Sequence, residues 1–265
     1  MPYVDNVKKL CITYICTGKY NLFFYDFYRT FNENFCPGHN LTFAVITDKP
    51  EICNNIKNVK VYDIQRHYKS KDVNFIKFRK WKDILICEDL LLEQDYCFFI
   101  NSNLTCTNKV TLDELFKGKS QYAVYHSLFG IQSMPMYESL CKHPKSAAFF
   151  DAQNRLKYPN YMYFQAGNTG ATSQQFLKMC NFIESCRQYD LFYGLDKYIP
   201  WHDETYYNKY INTIIKNNSD AINLLDGKKY LCSWLPEMKP YLPTCKMLLR
   251  NKDQVWKNLL APKNI

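Results

Sequence analysis

Tyr96-Cys97-Phe98-Phe99-Ile100-Asn101-Ser102-Asn103 is an unbroken apolar run of strand length that stops abruptly at a polar turn. A run without polar alternation is buried on both faces, which marks a strand inside a sheet covered by helices on either side. Polar side chains at the carboxyl end of such a strand stand where open α/β sheets take their ligands.

On either side of this run the chain repeats the same two signals. Leu10 to Thr17, rich in β-formers and ending at Gly18-Lys19, predicts a first buried strand. Phe24, Phe27, Phe31 and Phe35, spaced by three and four, predict a helix packed on that sheet. Strands are then expected at Leu41 to Thr47, closed by Asp48, at Val59 to Ile64 and at Tyr122 to His126. Amphipathic helices are expected over Phe75 to Leu92, over about 174–186 and from near Asp203. Alternating strands and helices predict an α/β fold with a mainly parallel sheet and helices on both faces. With no internal repeat, low-complexity tract or linker in the sequence, a single domain over residues 1–265 is expected.

Composition narrows the function classes. A hydrophobic fraction of 47% in 265 residues fills a real core and excludes disorder. The formal charge of +9 suits a phosphate-rich ligand, an anionic membrane surface or nucleic acid. The basic residues come as short pairs, Lys8-Lys9 and Lys228-Lys229 among them, and this argues against a nucleic-acid partner. Twelve cysteines without a C-x-x-C pair read as reduced, mostly buried thiols. No signal-like or membrane-spanning apolar stretch is found, so a soluble cytoplasmic chain is expected, at most peripheral on the inner membrane face. The Asn-x-Thr matches at Asn40 and Asn103 then carry no glycosylation meaning.

Few constellations can carry chemistry. Asn101 and Asn103 put two amides on one side of an extended backbone, as a turn or as ligand contacts offering a cation only neutral oxygens. Trp201-His202-Asp203-Glu204 gathers an aromatic face, an imidazole and two carboxylates at a helix start. Helix capping explains the acids, and a sugar site explains the whole group. Tyr163 to Ala171 is a stretch of small residues without a dinucleotide fingerprint. Arg250-Asn251-Lys252 offers cations for a diphosphate or a solvated basic tail.

Taken in order, these segments resemble glycosyltransferase family 6, the family of the ABO blood-group transferases and the α1,3-galactosyltransferases. Trp201-His202-Asp203-Glu204-Thr205 with Asn208-Lys209-Tyr210 is very similar to the family's W-H-D-E-S-x-x-N-K-Y. Tyr14 to Tyr20, Phe43 to Asp48, Asp95-Tyr96, His126 and Arg250 to Lys252 match further family segments, so the resemblance spans roughly residues 10–255. It implies a GT-A fold with a nucleotide-binding half over about residues 1–105 and an acceptor-binding half over about 106–265. Where vertebrate members carry D-x-D, Asn101-Ser102-Asn103 resembles the N-x-N of a bacterial branch that works without metal. No metal or other cofactor is therefore expected.

The resemblance also implies roles. Glu204 is the expected catalytic carboxylate of a retaining transfer. Ile15, Thr17, Tyr20, Lys77, Arg79, Asn101, Asn103, Gln165, Ala166, Gly167, His202, Asp203, Arg250 and Lys252 are expected at the UDP-sugar donor. His126 and Trp201, with Glu204, are expected at an oligosaccharide acceptor. For the helix cation, Lys77, Arg79 and Lys80 each fit the place of the family's arginine. A glycine at 167 resembles the N-acetylgalactosamine-using members, which favours UDP-N-acetylgalactosamine over UDP-galactose and a blood-group-A-like transfer onto a fucosylated galactoside. Two other classes remain open: a catalytically idle sugar- or nucleotide-binding module on the same fold, and an inverting or UDP-sugar-hydrolysing enzyme.

Overall fold

A strand buried on both faces needs partners on both edges, and the first strand, β1 (Lys9–Cys16), has them. It pairs in parallel with β2 (Asn40–Thr47) and with β4 (Tyr96–Ile100), in a computed structural model that describes residues 7–66, 73–126, 141, 143–149, 163–199, 203–233 and 235–255. Outside β2 lies β3 (Val59–Asp63). Beyond β4 come β7 (Phe164–Thr172), β6 (Gln121–Tyr125) and β8 (Ile222–Leu225), giving the order β3-β2-β1-β4-β7-β6-β8. β7 alone runs antiparallel to its neighbours. The sheet is the mixed, mainly parallel one expected of a GT-A fold. A small second sheet, unanticipated from sequence, joins β5 (Leu104–Cys106), β10 (Met247–Leu249) and β9 (Cys232–Ser233).

Side chains leaving β1 on alternate faces enter two cores. Leu10, Ile12 and Tyr14 pack under helix α1 (Phe24–Asn34), where Phe27 stacks on Phe31 with ring centroids 4.3 Å apart. The opposite face is covered by α2 (Val73–Ile84), α5 (Ser173–Phe192) and α6 (Asp203–Asn217). The short helices α3 (Glu88–Leu92), α4 (Leu112–Phe116) and α7 (Gly227–Tyr230) fill the connections. Eleven of the twelve cysteines are buried and one is partly buried, all as free thiols. No described helix is long and apolar enough to cross a membrane.

Three sequence expectations differ from the structure. The helix expected over Phe75 to Leu92 breaks into α2, a 3-10 turn at Leu85–Cys87 and α3. Run straight, those residues would extend about 27 Å, and the break instead returns Leu90 and Leu91 to the core below β4. Helix α5 runs six residues past the expected Cys186 because polar groups hold its last turns. Arg187 pairs with Glu184 at 2.6 Å, and the buried Asp190 accepts from Ser146, the Ala147 N–H and Tyr206. The small-residue stretch is itself a central strand, β7.

β7 is small because its neighbours are large. A Cβ on Gly170 would lie 2.5 Å from Phe98 Cδ1 and 2.6 Å from Tyr122 Cε1. Both rings are fully buried and have nowhere to go. Gly170→Ala is therefore expected to destabilise the protein by about 1–3 kcal/mol, read as a lower chemical-denaturation midpoint at unchanged slope. An unchanged midpoint would mean the rings have room to move.

Candidate active site

Asp203 and Glu204 open α6, where carboxylates complement the positive end of the helix dipole. One turn later, the Asn208 carboxamide accepts from the Phe164 N–H and donates to the Phe164 C=O, both at 2.8 Å, and donates to the Glu204 C=O at 2.9 Å. This grip lays the first turn of α6 on the start of β7. The Glu204 carboxylate consequently meets that strand. Its Oε1 accepts from the Ala166 N–H at 3.4 Å, and its Oε2 accepts a short hydrogen bond from the Tyr163 hydroxyl.

Burial, and after it the neighbouring Asp203 charge, raise the Glu204 pKa to about 7 against the opposing Tyr163 hydrogen bond, Lys80 charge and Ala166 N–H. Asp203 itself is paired with Lys80 of α2, Nζ to Oδ2 at 2.6 Å. Lys80 is buried, donates also to the Ala166 C=O at 3.1 Å and lies over the rings of Trp81 and Phe99. The Trp81 indole N–H reaches the Asp203 C=O at 3.4 Å, and its ring stacks on Tyr207. With Glu204 ionised, two carboxylates face one ammonium among the described residues, an arrangement that favours a positive charge developing beside it.

Of the α2 cations named from sequence whose side chains are described, Arg79 and Lys80, it is Lys80 that reaches the acidic pair. Arg79 points about 100° around the helix, pairs with Asp83 at 3.3 Å and faces Glu184 and Arg187 of α5. The Lys77 side chain, Trp201 and His202 lie outside the described residues. Tyr163, quoted from sequence only as part of a small-residue stretch, touches Glu204 directly. Its ring also lies 5.6 Å from that of His126, whose backbone N–H donates to the Tyr163 C=O at 3.0 Å. Burial lowers the His126 pKa to about 4, so the imidazole is neutral at pH 7. Nothing in a single sequence announces Tyr163. Lys80 has a signal in its four-residue spacing from Ile84, which places it beside the buried face of the helix.

From Glu204 the expected donor residues continue along the carboxyl ends of β1 and β4. β7 bulges between its pairings Tyr125↔Phe164 and Ala123↔Thr169, where two steps of β6 oppose five of β7. The bulge presses Gly167 on the end of β4, and the Asn101 N–H donates to the Gly167 C=O at 2.8 Å. The Gln165 side-chain oxygen is buried without a partner. The space above Gly167 is filled by the Asn101 side chain, whose Nδ2 lies 2.3 Å from where a Cβ would stand.

The two asparagines differ in their commitments. Asn103 donates from its amide to the Arg250 C=O at 3.1 Å, and its own C=O accepts the Arg250 N–H at 2.9 Å. It thereby brings the basic C-terminal segment to the end of β4. Arg250 pairs with Asp26 and lies over the Phe23 ring at 4.7 Å, leaving its Nε and Nη2 buried without partners. Lys252 donates to the Tyr20 hydroxyl at 3.0 Å. Tyr20 sits just past β1, where its N–H donates to the Thr17 C=O, while Ile15 is half-buried in β1 opposite Ile46.

A model of the family described as glycosyltransferase family 6 matches residues 3–221. The chain is also similar to the O-antigen biosynthesis glycosyltransferase WbnI of Escherichia coli, 24% identical over 204 residues, which cover 75% of this chain and 80% of that protein. The family match takes in β7, Asp203 and Glu204 and ends before Arg250 and Lys252.

The Glu204 environment has a consequence for stability. An unfolded glutamate titrates near about 4.3 and the folded one at about 7, so the folded state binds this proton more tightly. Stability from this group is therefore present at low pH and lost as pH rises between those values. Glu204→Gln is expected to melt at or above the wild-type temperature at pH 8, with the difference shrinking towards pH 4.5. A variant less stable than wild type at pH 8 would contradict a burial-dominated carboxylate.

Proposed function

This chain belongs to glycosyltransferase family 6, and we propose that it moves N-acetylgalactosamine or galactose from a UDP-sugar to a galactoside acceptor in α1,3 linkage, retaining the α configuration. Glycosyl transfer is what membership brings. The donor, the linkage and the acceptor are the proposal. The observation that carries it is Glu204, held against β7 by Asn208 and Tyr163, beside an Asp203 already neutralised by Lys80. In this reading the ionised Glu204 lies under the anomeric carbon and attacks it, or stabilises the oxocarbenium-like ion, as UDP departs. Asp203, fixed by Lys80, holds sugar hydroxyls. His126 is proposed for the acceptor side, where the resemblance also puts Trp201, and a relative named for O-antigen biosynthesis supports an oligosaccharide there.

The leaving diphosphate needs positive partners. The unpartnered buried Nε and Nη2 of Arg250 support an anionic occupant, with Lys252 two residues further along the chain. Asn101 and Asn103 offer only neutral oxygens, and the Asn103 amide is committed to Arg250, so a hard divalent cation finds no anionic ligand at this turn. We therefore propose transfer without metal. UDP-N-acetylgalactosamine is favoured over UDP-galactose because the orphaned Gln165 oxygen can accept the acetamido N–H. Hydrolysis of the UDP-sugar is the second reading, since a carboxylate titrating at about 7 suits a general base on water.

UDP release with and without a fucosylated galactoside separates these readings, and an α anomeric proton in the product marks retention. Glu204→Gln is expected to lose about 10²-fold or more of transfer with UDP binding intact. Near-normal transfer by that variant would reduce Glu204 to a helix-start acid. Excess EDTA is expected to leave turnover nearly unchanged. Loss on chelation with recovery on adding manganese would overturn the metal-free reading.

A further inference from the structure

Gly167 stands in the bulge of β7, and its backbone is not in the left-handed region that favours glycine. The position therefore requires a glycine for space alone. A Cβ there would lie 2.3 Å from Asn101 Nδ2 and 2.8 Å from its Cγ, far inside van der Waals contact. The Asn101 carboxamide is half-buried and makes no hydrogen bond to any described residue, while its backbone is fixed to the same glycine through the Gly167 C=O. The amide is thus seated by packing on bare backbone, with its donors and acceptor unspent. A methyl group at 167 cannot push the strand away without breaking that backbone bond. What yields is the Asn101 side chain, turning about its own χ angles out of the glycine notch.

Resting on the transfer reading above, we infer that Asn101 is the specificity-determining residue through which position 167 acts: the glycine seats the Asn101 carboxamide against β7, and this seated amide reads the C2 substituent of the donor sugar. Size at 167 then selects the donor indirectly. A larger residue moves the amide into the space of the sugar, rather than itself touching the acetamido group. The seated amide lies between Gly167 and the turn that Asn103 ties to Arg250, which is the junction of the sugar and diphosphate ends of the proposed donor.

A double-mutant cycle tests this with wild type, Gly167→Ala, Asn101→Ala and the double variant. Each is measured for kcat/KM with UDP-N-acetylgalactosamine and with UDP-galactose, for UDP affinity by calorimetry and for unliganded melting temperature. Gly167→Ala alone is expected to change the ratio of the two donors by about tenfold or more and to lower the melting temperature. In the Asn101→Ala background the same substitution is expected to change the donor ratio by less than about twofold and to leave the melting temperature unaltered, because the amide it would strike is gone. Equal effects of Gly167→Ala in both backgrounds would overturn the inference, since the methyl would then meet the sugar or the backbone directly. Should the wild type transfer neither sugar, the transfer reading fails by itself. Calorimetric affinities of the same four variants for UDP-N-acetylgalactosamine and UDP-galactose themselves then decide the inference: a donor-affinity ratio that Gly167→Ala changes only while Asn101 is present sustains it, and additive changes end it.

Discussion

One carboxamide holds the site together. Asn208, wholly buried in α6, satisfies both the N–H and the C=O of Phe164, a residue at the mouth of the β7 bulge where neither group has a regular strand partner on that side. Unpaired, each buried backbone group would cost about 1–3 kcal/mol, so helix and strand have one low-energy alignment. Everything at the acidic end inherits it. Glu204 is one helical turn from this amide and is bonded to it through its own carbonyl. Trp81 braces the same turn from α2, through Tyr207 and the Asp203 carbonyl, and delivers Lys80 beside it.

The arrangement separates two electrostatic tasks along one line of contacts. At the Glu204 end the described residues are acidic, and the buried Lys80 ammonium is spent on Asp203 and a backbone carbonyl. At the far end Arg250 is only partly compensated by Asp26, and Lys252 meets a neutral hydroxyl. The middle of the line is uncharged: Ala166, Gly167, Asn101, then Asn103. In the proposed reading, a group that leaves as an anion from a centre that becomes cationic finds each charge opposed at its own end. The overall excess of Lys and Arg is thus given local meaning at a few positions.

The parts of the fold legible in sequence were those whose side chains are large. β1, β2 and β4 are continuous apolar runs, and α1 carries phenylalanines at helical spacing, so their burial could be read directly. β7 escaped because its smallness is imposed from outside, by Phe98 and Tyr122 on adjacent strands, and no local pattern records a neighbour's volume. The end of α5 escaped for the opposite reason, since buried polar residues such as Asp190 extend it where apolar periodicity stops. In the site, the acids of α6 stood out as a motif. The choice between Arg79 and Lys80 depends on the rotation of α2 by a single residue, which Trp81 and Ile84 set through packing and not through spacing alone. The Asn103 contact with Arg250 spans 147 residues and leaves no trace in either segment.

That long reach has a kinetic meaning. β10, which carries Arg250 to the N-x-N turn, can pair with β5 only after the long intervening stretch, 143 residues from Thr105 to Leu248, has been made, and it does so in a sheet of very short strands. Contacts of such sequence separation form late, since the loop they close must be ordered first. During synthesis the acidic end of the site can assemble on the central sheet while the basic end is still missing. In the proposed reading, a chain in which β10 has not yet docked would hold the acidic pocket without Arg250 and Lys252, so competence to use the nucleotide becomes a report that this late strand is in place.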